Sequence, residues 1–391
     1  MKIVHVCLCC FYVPGFAYQE NIMSREHKKL GNDVAIITSQ YEFDGSGERK
    51  ERPVGKFLNE DDIPVYVLPY AKTKAGVILH KYPGFYEKLE ELQPDIICCH
   101  GITSYIVKDI IKYKKKHSNV KLYGDQHADY YNTGWYKKRS FVRKIKFRAF
   151  YKVFLSRYAR MYSKYVERIW GTTPWRCDFV KRIYGVNPSK VELLVMGGED
   201  DKIHFDRAAE IRHDIRAGLG IGDDAFVLVT GGKIDMAKKF HLLMQAVAEL
   251  NNDNIKLIVF GQPKDDMKEI VEKYSKDKNI FCIGWIESDK AYDYFLASDL
   301  AVFPGTHSVL WEQACACGIP GLFKDWEGMR HVDLGGNAEF LYEDSVDEIK
   351  EKISEIYNDK EKYARMKKVA EEKGIKTFSY REISKRAIEL I

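Results

Sequence analysis

Three short stretches of this chain carry side chains whose types and spacing suit an anionic, hydroxyl-rich ligand. One is Thr306-His307-Ser308-Val309 with Glu312, inside the run SDLAVFPGTHSVLWEQACACGIPGLF (298–323). Thr306 and Ser308 are candidate N-caps, and N–H groups at a helix N-terminus attract phosphate or a sugar hydroxyl. Glu312, one turn further on, is spaced to accept two hydrogen bonds from a vicinal diol. The same residues also suit an ordinary strand–turn–helix unit with Glu312 on a wet face. The second stretch, Gly231-Gly232-Lys233-Ile234-Asp235-Met236-Ala237-Lys238-Lys239, sets two glycines and several lysines at a strand end, which makes an anion cradle. The third feature is a pair of histidines, His100 and His127, each just past an apolar run. A single such histidine is usually structural, whereas two at equivalent strand ends point to a shared crevice.

The elements that must position these residues alternate. Lys2 to Phe11 is β-prone and ends at Pro14-Gly15, a helical pattern runs from about Gln19 to Leu30, and Asp33 to Thr38 is a second buried strand. This opening implies a parallel sheet with ligands at the carboxyl ends of its strands. Further strands are predicted over 63–68, 95–100, 120–124 and 191–195. The rhythm restarts after Met196-Gly197-Gly198-Glu199-Asp200-Asp201, with strands over 226–230, 255–260, 279–284 and 300–303, and helices over 240–250, 346–372 and 381–390. The spacing therefore predicts an α/β chain of two parallel-sheet domains, 1–200 and 201–375.

Composition narrows the class. A length of 391 residues allows two ordinary cores, 45% hydrophobic and 30% charged residues describe a globular chain, and a net charge of +5 favours no particular partner. Most of the nine cysteines sit in apolar runs and read as reduced thiols; Cys7-Leu8-Cys9-Cys10 lacks a partner pair at zinc spacing, so no metal is expected. The opening MKIVHVCLCC does not read as a signal peptide, and no run of about 18 apolar residues exists. The expectation is a cytoplasmic protein, free or resting on the inner face of a membrane. Residues 137–165 bear on that choice. They carry lysines and arginines without one acidic residue, interleaved with Phe147, Phe150, Tyr151, Phe154, Leu155 and Tyr158 at helical spacing. Such a segment either lies on anionic lipid or packs its aromatic face into the core with its cations solvated. Nucleic acid is not the expected partner, since the rest of the chain has no basic excess.

Taken together, GGKIDMAKKFHLLMQA, THSVLWEQACACGIP and the final FSYREISKRAIEL resemble the GT-B glycosyltransferases, family 4 in particular. The resemblance implies two Rossmann-like domains facing across a cleft, with residues 376–391 crossing back onto the first. It implies a retaining, metal-independent hexosyltransferase that uses a UDP- or GDP-linked sugar and no other cofactor. Lys233 and Lys238 then match the residues that contact the donor diphosphate, and Lys239 stands where the family has glycine. Glu312 matches the second glutamate of the Glu–seven residues–Glu motif, which binds ribose hydroxyls. The first falls on Pro304, leaving His307 or Ser308 to stand in for it. Gly15 matches a loop near the donor phosphates and His127 the histidine facing the transferred sugar, so His127, Lys233 and Lys238 are the expected catalytic set. Gly15, Gly232, Trp285, Ile286, Thr306, His307, Ser308, Val309 and Glu312 are expected to bind the donor. Tyr18, Glu20, Asn21 and His100 are expected near a glycan or lipid-linked acceptor of cell-envelope synthesis. Rival readings are a nucleotide-sugar epimerase and a catalytically silent sugar-binding scaffold. A nicotinamide dehydrogenase is disfavoured because neither half has G-x-G-x-x-G after its first strand.

Overall fold

In the computed structural model, which describes residues 1–10, 12–43, 48–73 and 79–389, the chain divides into two units. One is Met1–Val195 with Ser384–Ile391, the other Met196–Ile383. The chain thus changes unit five residues before the expected boundary and returns eight residues later than expected. The reason is local. Gly198 exchanges backbone hydrogen bonds with Phe378 and Tyr380 (2.8 and 3.1 Å). Asp200 accepts from Ser379 Oγ and Arg381 N (2.5 and 2.9 Å). These bonds hold 376–383 to the second unit. From Ser384 onward the partners lie in the first: Trp170 Nε1 donates to Ala387 O (3.0 Å) and Tyr123 Oη to Ile388 O (3.2 Å).

The first unit is built on a sheet of order β10-β9-β8-β7-β1-β2-β6-β5. Its strands are β1 (Lys2–Cys7), β2 (Asp33–Ser39), β5 (Gly55–Leu58), β6 (Pro64–Leu68), β7 (Ile96–His100), β8 (Lys121–Gln126), β9 (Arg168–Gly171) and β10 (Val191–Leu193). All neighbours are parallel except β5 with β6; a separate antiparallel pair joins β3 (Tyr41–Phe43) to β4 (Arg49–Glu51). β1 stops at Cys7, shorter than the apolar run, and Phe11 lies outside the described residues. Successive side chains of a strand face opposite ways, so Val4 and Val6 pack with Ile37, Ile97 and Leu122 on one face. Ile3 and Cys7 pack with Ile36, Val65 and Ile388 on the other. Both faces are covered, which is why these strands read as continuous apolar runs. Helix α1 (Gln19–Lys29) connects β1 to β2.

The segment 137–165 resolves into α2 (Phe141–Ala149), a π-helical stretch (Phe150–Leu155) and α3 (Ser156–Ser163). Of its aromatic residues, Phe147 and Tyr151 pack on Trp135, Tyr151 also on Phe179, and Phe154 on Tyr158. Those rings are therefore packed. Phe150 of the same set instead points outward together with Phe141, Val142, Ile145 and Val153, all exposed, Phe141 by 78%.

The second unit carries the order β13-β12-β11-β14-β15-β16, parallel throughout. The strands are β11 (Phe226–Gly231), β12 (Ile255–Phe260), β13 (Ile280–Gly284), β14 (Leu300–Phe303), β15 (Gly321–Lys324) and β16 (Ala338–Leu341). Helices α4 (Ala208–Gly218), α5 (Phe240–Leu250) and α6 (Leu310–Ala316) flank the strands that matter below. The predicted helix over 346–372 breaks at Asp359, whose side chain caps the second piece by accepting from Lys362 N.

One buried ion pair anchors this unit. Arg216 is fully buried and donates to Asp299 Oδ2 (2.7 Å) and to the carbonyls of Ala297, Asp223 and Ala225. Asp299 also accepts from Arg212 Nη2 and Val227 N. Removing one partner of such a pair strands the other charge. Arg216→Ala is therefore expected to destabilise the second unit by about 3–5 kcal/mol, read as an earlier denaturant midpoint for that unit's transition.

Candidate functional site

Because β11 to β15 are parallel, the chain leaves each at the same edge of the second sheet. Five connections leave there: Gly232–Lys239 after β11, Gly261–Lys264 after β12, Trp285-Ile286 after β13, Pro304–Val309 after β14, and the one holding Arg330–Val332 after β15. The first and fourth are braced together. Lys238 Nζ donates to the carbonyls of Thr306 and His307 (2.7 and 2.8 Å), and Thr306 N donates to Ala237 O (3.0 Å). Gly305 permits this approach, since a Cβ there would lie 2.4 Å from Ala237 O. Asp235 Oδ1 accepts from Ala237 N and Lys238 N and shapes the turn. Burial lowers the Lys238 ammonium to about 8. Lys239 adopts φ 55, left-handed backbone natural to glycine, and its ammonium pairs with Asp344.

Glu312 is fully buried, not on a wet face. Its Oε1 accepts from His307 Nε2 (2.9 Å) and from His331 Nε2 (2.8 Å), while Oε2 has no hydrogen-bond partner. Burial alone would raise this carboxyl, but His307 and His331 override it and hold it at about 2. The expected capping differs. Helix α6 has only seven residues and opens at Val309 with no side-chain cap; Ser308 Oγ reaches Leu310 N only at 3.5 Å, and Thr306 N is already used by Ala237. The polar groups offered here are thus Glu312 Oε2 and the Lys238 brace rather than a helix end. Lys233 and Trp285 are exposed and Ile286 half-buried. Gly232 adopts φ 105 and would touch Leu310 if it bore a Cβ.

In the first unit the expected acceptor residues separate. Tyr18 is exposed and stacked on Phe16, Glu20 is half-buried, and Gly15 at φ 75 donates its N–H to Glu60 (2.9 Å). Asn21 is buried and donates to Val13 O (2.8 Å), so it braces the loop instead of facing a ligand. His100 is also buried, which corrects its reading as an acceptor contact. It belongs to a chain of contacts: Asp125 Oδ2 to His100 Nδ1 (2.5 Å), His100 Nε2 to His5 Nδ1 (2.9 Å), His5 Nε2 to His27 Nδ1 (3.0 Å), and His27 Nε2 to Ser384 O (2.8 Å).

The two ends fix the protons. A carboxylate and a carbonyl only accept, so the chain's four hydrogen bonds need four N–H protons on three rings, and one ring is a cation. It is His100. Burial works against that charge, but Asp125 outweighs it and raises the imidazole to about 10. His5 and His27 are held neutral chiefly by burial, His27 at about 4. His127 lies beyond the end of β8, partly exposed, with Nε2 3.6 Å from Asp125 Oδ1. The two predicted histidines are therefore joined through Asp125, one inside and one at the surface. His5, His27, Asp125 and His331 had no motif to announce them; each sits in an apolar run, a helix or a loop without characteristic spacing.

Among the described residues, two groups bring potential ligand atoms within 4.8 Å of one another: His307, Glu312, His331 and His5, His27, Cys98. In the second, both nitrogens of each histidine are already spent on the chain just described.

The His100–Asp125 pair has a pH signature. A histidine raised above its usual 6.5 contributes stability that is full below that value and lost as pH rises through about 10. At pH 8, nitrogen-15 NMR of the histidine rings should show one imidazolium, and Asp125→Asn should abolish it while lowering stability by about 3–5 kcal/mol. A neutral His100 in the unaltered protein at that pH contradicts the proton count.

Residues 211–373 match the sequence family Glycosyl transferases group 1. The D-inositol 3-phosphate glycosyltransferase 1 of Catenulispora acidiphila is 25% identical over 193 residues, 45% of this chain and 45% of that protein. The lipopolysaccharide 1,2-N-acetylglucosaminetransferase of Salmonella typhimurium is 28% identical over 139 residues, 33% and 35% of the two chains. The aligned segments thus span about half or less of these relatives. Across the whole length, a glycosyltransferase from Rickettsia africae superposes with a TM-score of 0.70 at 13% identity, covering 100% of this chain and 97% of that one. A UDP-GlcNAc 2-epimerase from Neisseria meningitidis superposes with a TM-score of 0.62 at 12% identity, covering 100% and 99%. The chain carries a group 1 glycosyl transferase domain over residues 211–373 within a GT-B fold.

Proposed function

We propose that the protein is a retaining, metal-independent glycosyltransferase of hexosyl type. It moves a sugar from a UDP- or GDP-linked donor to a glycan or lipid-linked acceptor of cell-envelope polysaccharide or glycolipid synthesis. The observation that carries this reading is the Glu312 carboxylate, buried with one oxygen unpartnered beside a turn that Lys238 clamps. A buried acceptor without a donor is costly, and ribose hydroxyls would supply the missing O–H donors. Lys233 and Lys238 are assigned to the diphosphate, where cations set in place before the bond breaks stabilise the charge that develops on the leaving group. His127 would face the sugar, with Tyr18 and Glu20 toward the acceptor. An epimerase is the second reading, favoured by the GT-B likeness to a UDP-GlcNAc 2-epimerase; it would convert a nucleotide sugar with no acceptor present, and a transferase would not.

Calorimetry with UDP and GDP should find one of them bound by the full chain. Affinity should fall as pH rises through about 8, where the Lys238 ammonium discharges. Lys238→Met should weaken binding roughly 10–100-fold, the worth of one charged hydrogen bond, and flatten the profile. Unchanged binding by Lys238→Met would refute the assignment.

The exposed stripe Phe141, Val142, Ile145, Phe150 and Val153, among lysines and arginines with no acidic residue, supports peripheral attachment to an anionic membrane. The protein should float with vesicles containing phosphatidylglycerol and not with pure phosphatidylcholine. Phe141→Asp with Val153→Asp should release it without altering its melting temperature. Equal flotation by the double variant contradicts lipid contact through this stripe.

A further inference from the structure

We propose that His307, Glu312 and His331 form an exchangeable site for a zinc-type divalent cation. Two imidazoles and one carboxylate are a donor set that suits zinc, cobalt or nickel and leaves coordination positions open for water. Magnesium and calcium, which prefer all-oxygen shells, fit it poorly.

The spacing agrees with the chemistry. Ligand atoms about 2.1 Å from a metal are about 3.0 Å apart at right angles, as in the octahedral shells of cobalt or nickel, and about 3.4 Å apart in a zinc tetrahedron, which a shift of about half an ångström would reach. The two nitrogen–oxygen separations here are 2.9 and 2.8 Å. The three residues come from three backbone positions: the turn after β14, helix α6, and the turn after β15. Glu312 is fully buried and His331 nearly so, with 2% of its side chain exposed; His307 at 12% is the open side. Two atoms in this cluster are buried without partners, Glu312 Oε2 and His331 Nδ1. The cation would use the first as a second carboxylate oxygen. Each imidazole binds it through Nε2 as the neutral tautomer with its proton on Nδ1, any second proton leaving to solvent, so no oxidant or reductant enters. His331 Nδ1 lacks the outer acceptor that tightens metal-bound histidines, and this makes the site weaker than a structural zinc centre.

The consequence for ligand binding rests on the proposed function. A cation on Glu312 occupies the lone pairs assigned there to ribose, so metal and nucleoside exclude each other.

Cobalt(II), whose visible absorption reports nitrogen and oxygen coordination, is the probe, titrated into the full-length protein under reducing conditions. One equivalent should bind with those bands, and zinc should displace it. His331→Gln, which can still donate an N–H to Glu312, should weaken binding by more than the roughly 10–100-fold that loss of an outer-shell partner costs. His307→Gln should do the same from the other side, which guards against misfolding of either variant. Uridine and guanosine, which lack the phosphates that themselves chelate metals, should each be tested for raising the cobalt dissociation constant. Equal cobalt binding by the unaltered protein and both variants overturns the site. Cobalt binding that needs both histidines but is indifferent to either nucleoside leaves the site standing and overturns the exclusion, and with it the ribose contact at Glu312.

Discussion

A carboxylate removed from water must find its donors within the protein, and that requirement at Glu312 organises the carboxyl edge of the second sheet. Its partners do not come from its own helix. His307 lies in the turn before it and His331 in a turn after the next strand, so one oxygen ties two connections to α6. Lys238 then fastens the connection after β11 to the same turn through two carbonyls. Three loops that would otherwise move independently are fixed by one negative and one positive side chain. Gly305 is the geometric condition for this, because any Cβ would push the two loops apart.

The first unit solves the same problem differently. Asp125 has a cation, His100, and the excess proton is stabilised by a line of two more rings ending at a backbone carbonyl. This accounts for a histidine at the centre of β1, where both neighbours on its face, Ile3 and Cys7, are core residues. The line crosses β8, β7, β1 and α1 and ends on Ser384, where the returning chain joins this unit. A buried polar chain of this kind is satisfied only when every member is in place, so it specifies how the last residues dock as much as it stabilises them.

Strand and helix order could be read directly from the sequence, because strands buried on both faces are nearly pure apolar runs and glycine or proline punctuates them. The residues clustered at the second sheet's edge were legible for the same reason: in a parallel sheet every strand delivers its following loop to one side. What stayed hidden were contacts set by register. His331 reaches Glu312 only because β15 lies beside β14, which no local spacing encodes. His100 read as a site residue because it ends a strand, yet its side chain points into the sheet's covered face. The basic segment showed aromatic periodicity, but Phe147 and Tyr151 pack on Trp135 and Phe179, while the π-helical stretch turns Phe150 of the same set outward with Val153.

The lysine at 238 shows how such a site is prepared in advance. Its ammonium is partly buried, which is what lowers its affinity for a proton, while two carbonyls hold it in place. A cation that has lost much of its water meets an incoming anion without first shedding a full hydration shell, and the carbonyls keep it from swinging away. The same burial that makes the charge expensive when the site is empty makes it effective when an anion arrives. A fully solvated lysine at this position would carry equal charge but would have to be immobilised and dehydrated at each encounter. The position, more than the charge, is therefore what the Gly305 turn and the Asp235 cap serve to maintain.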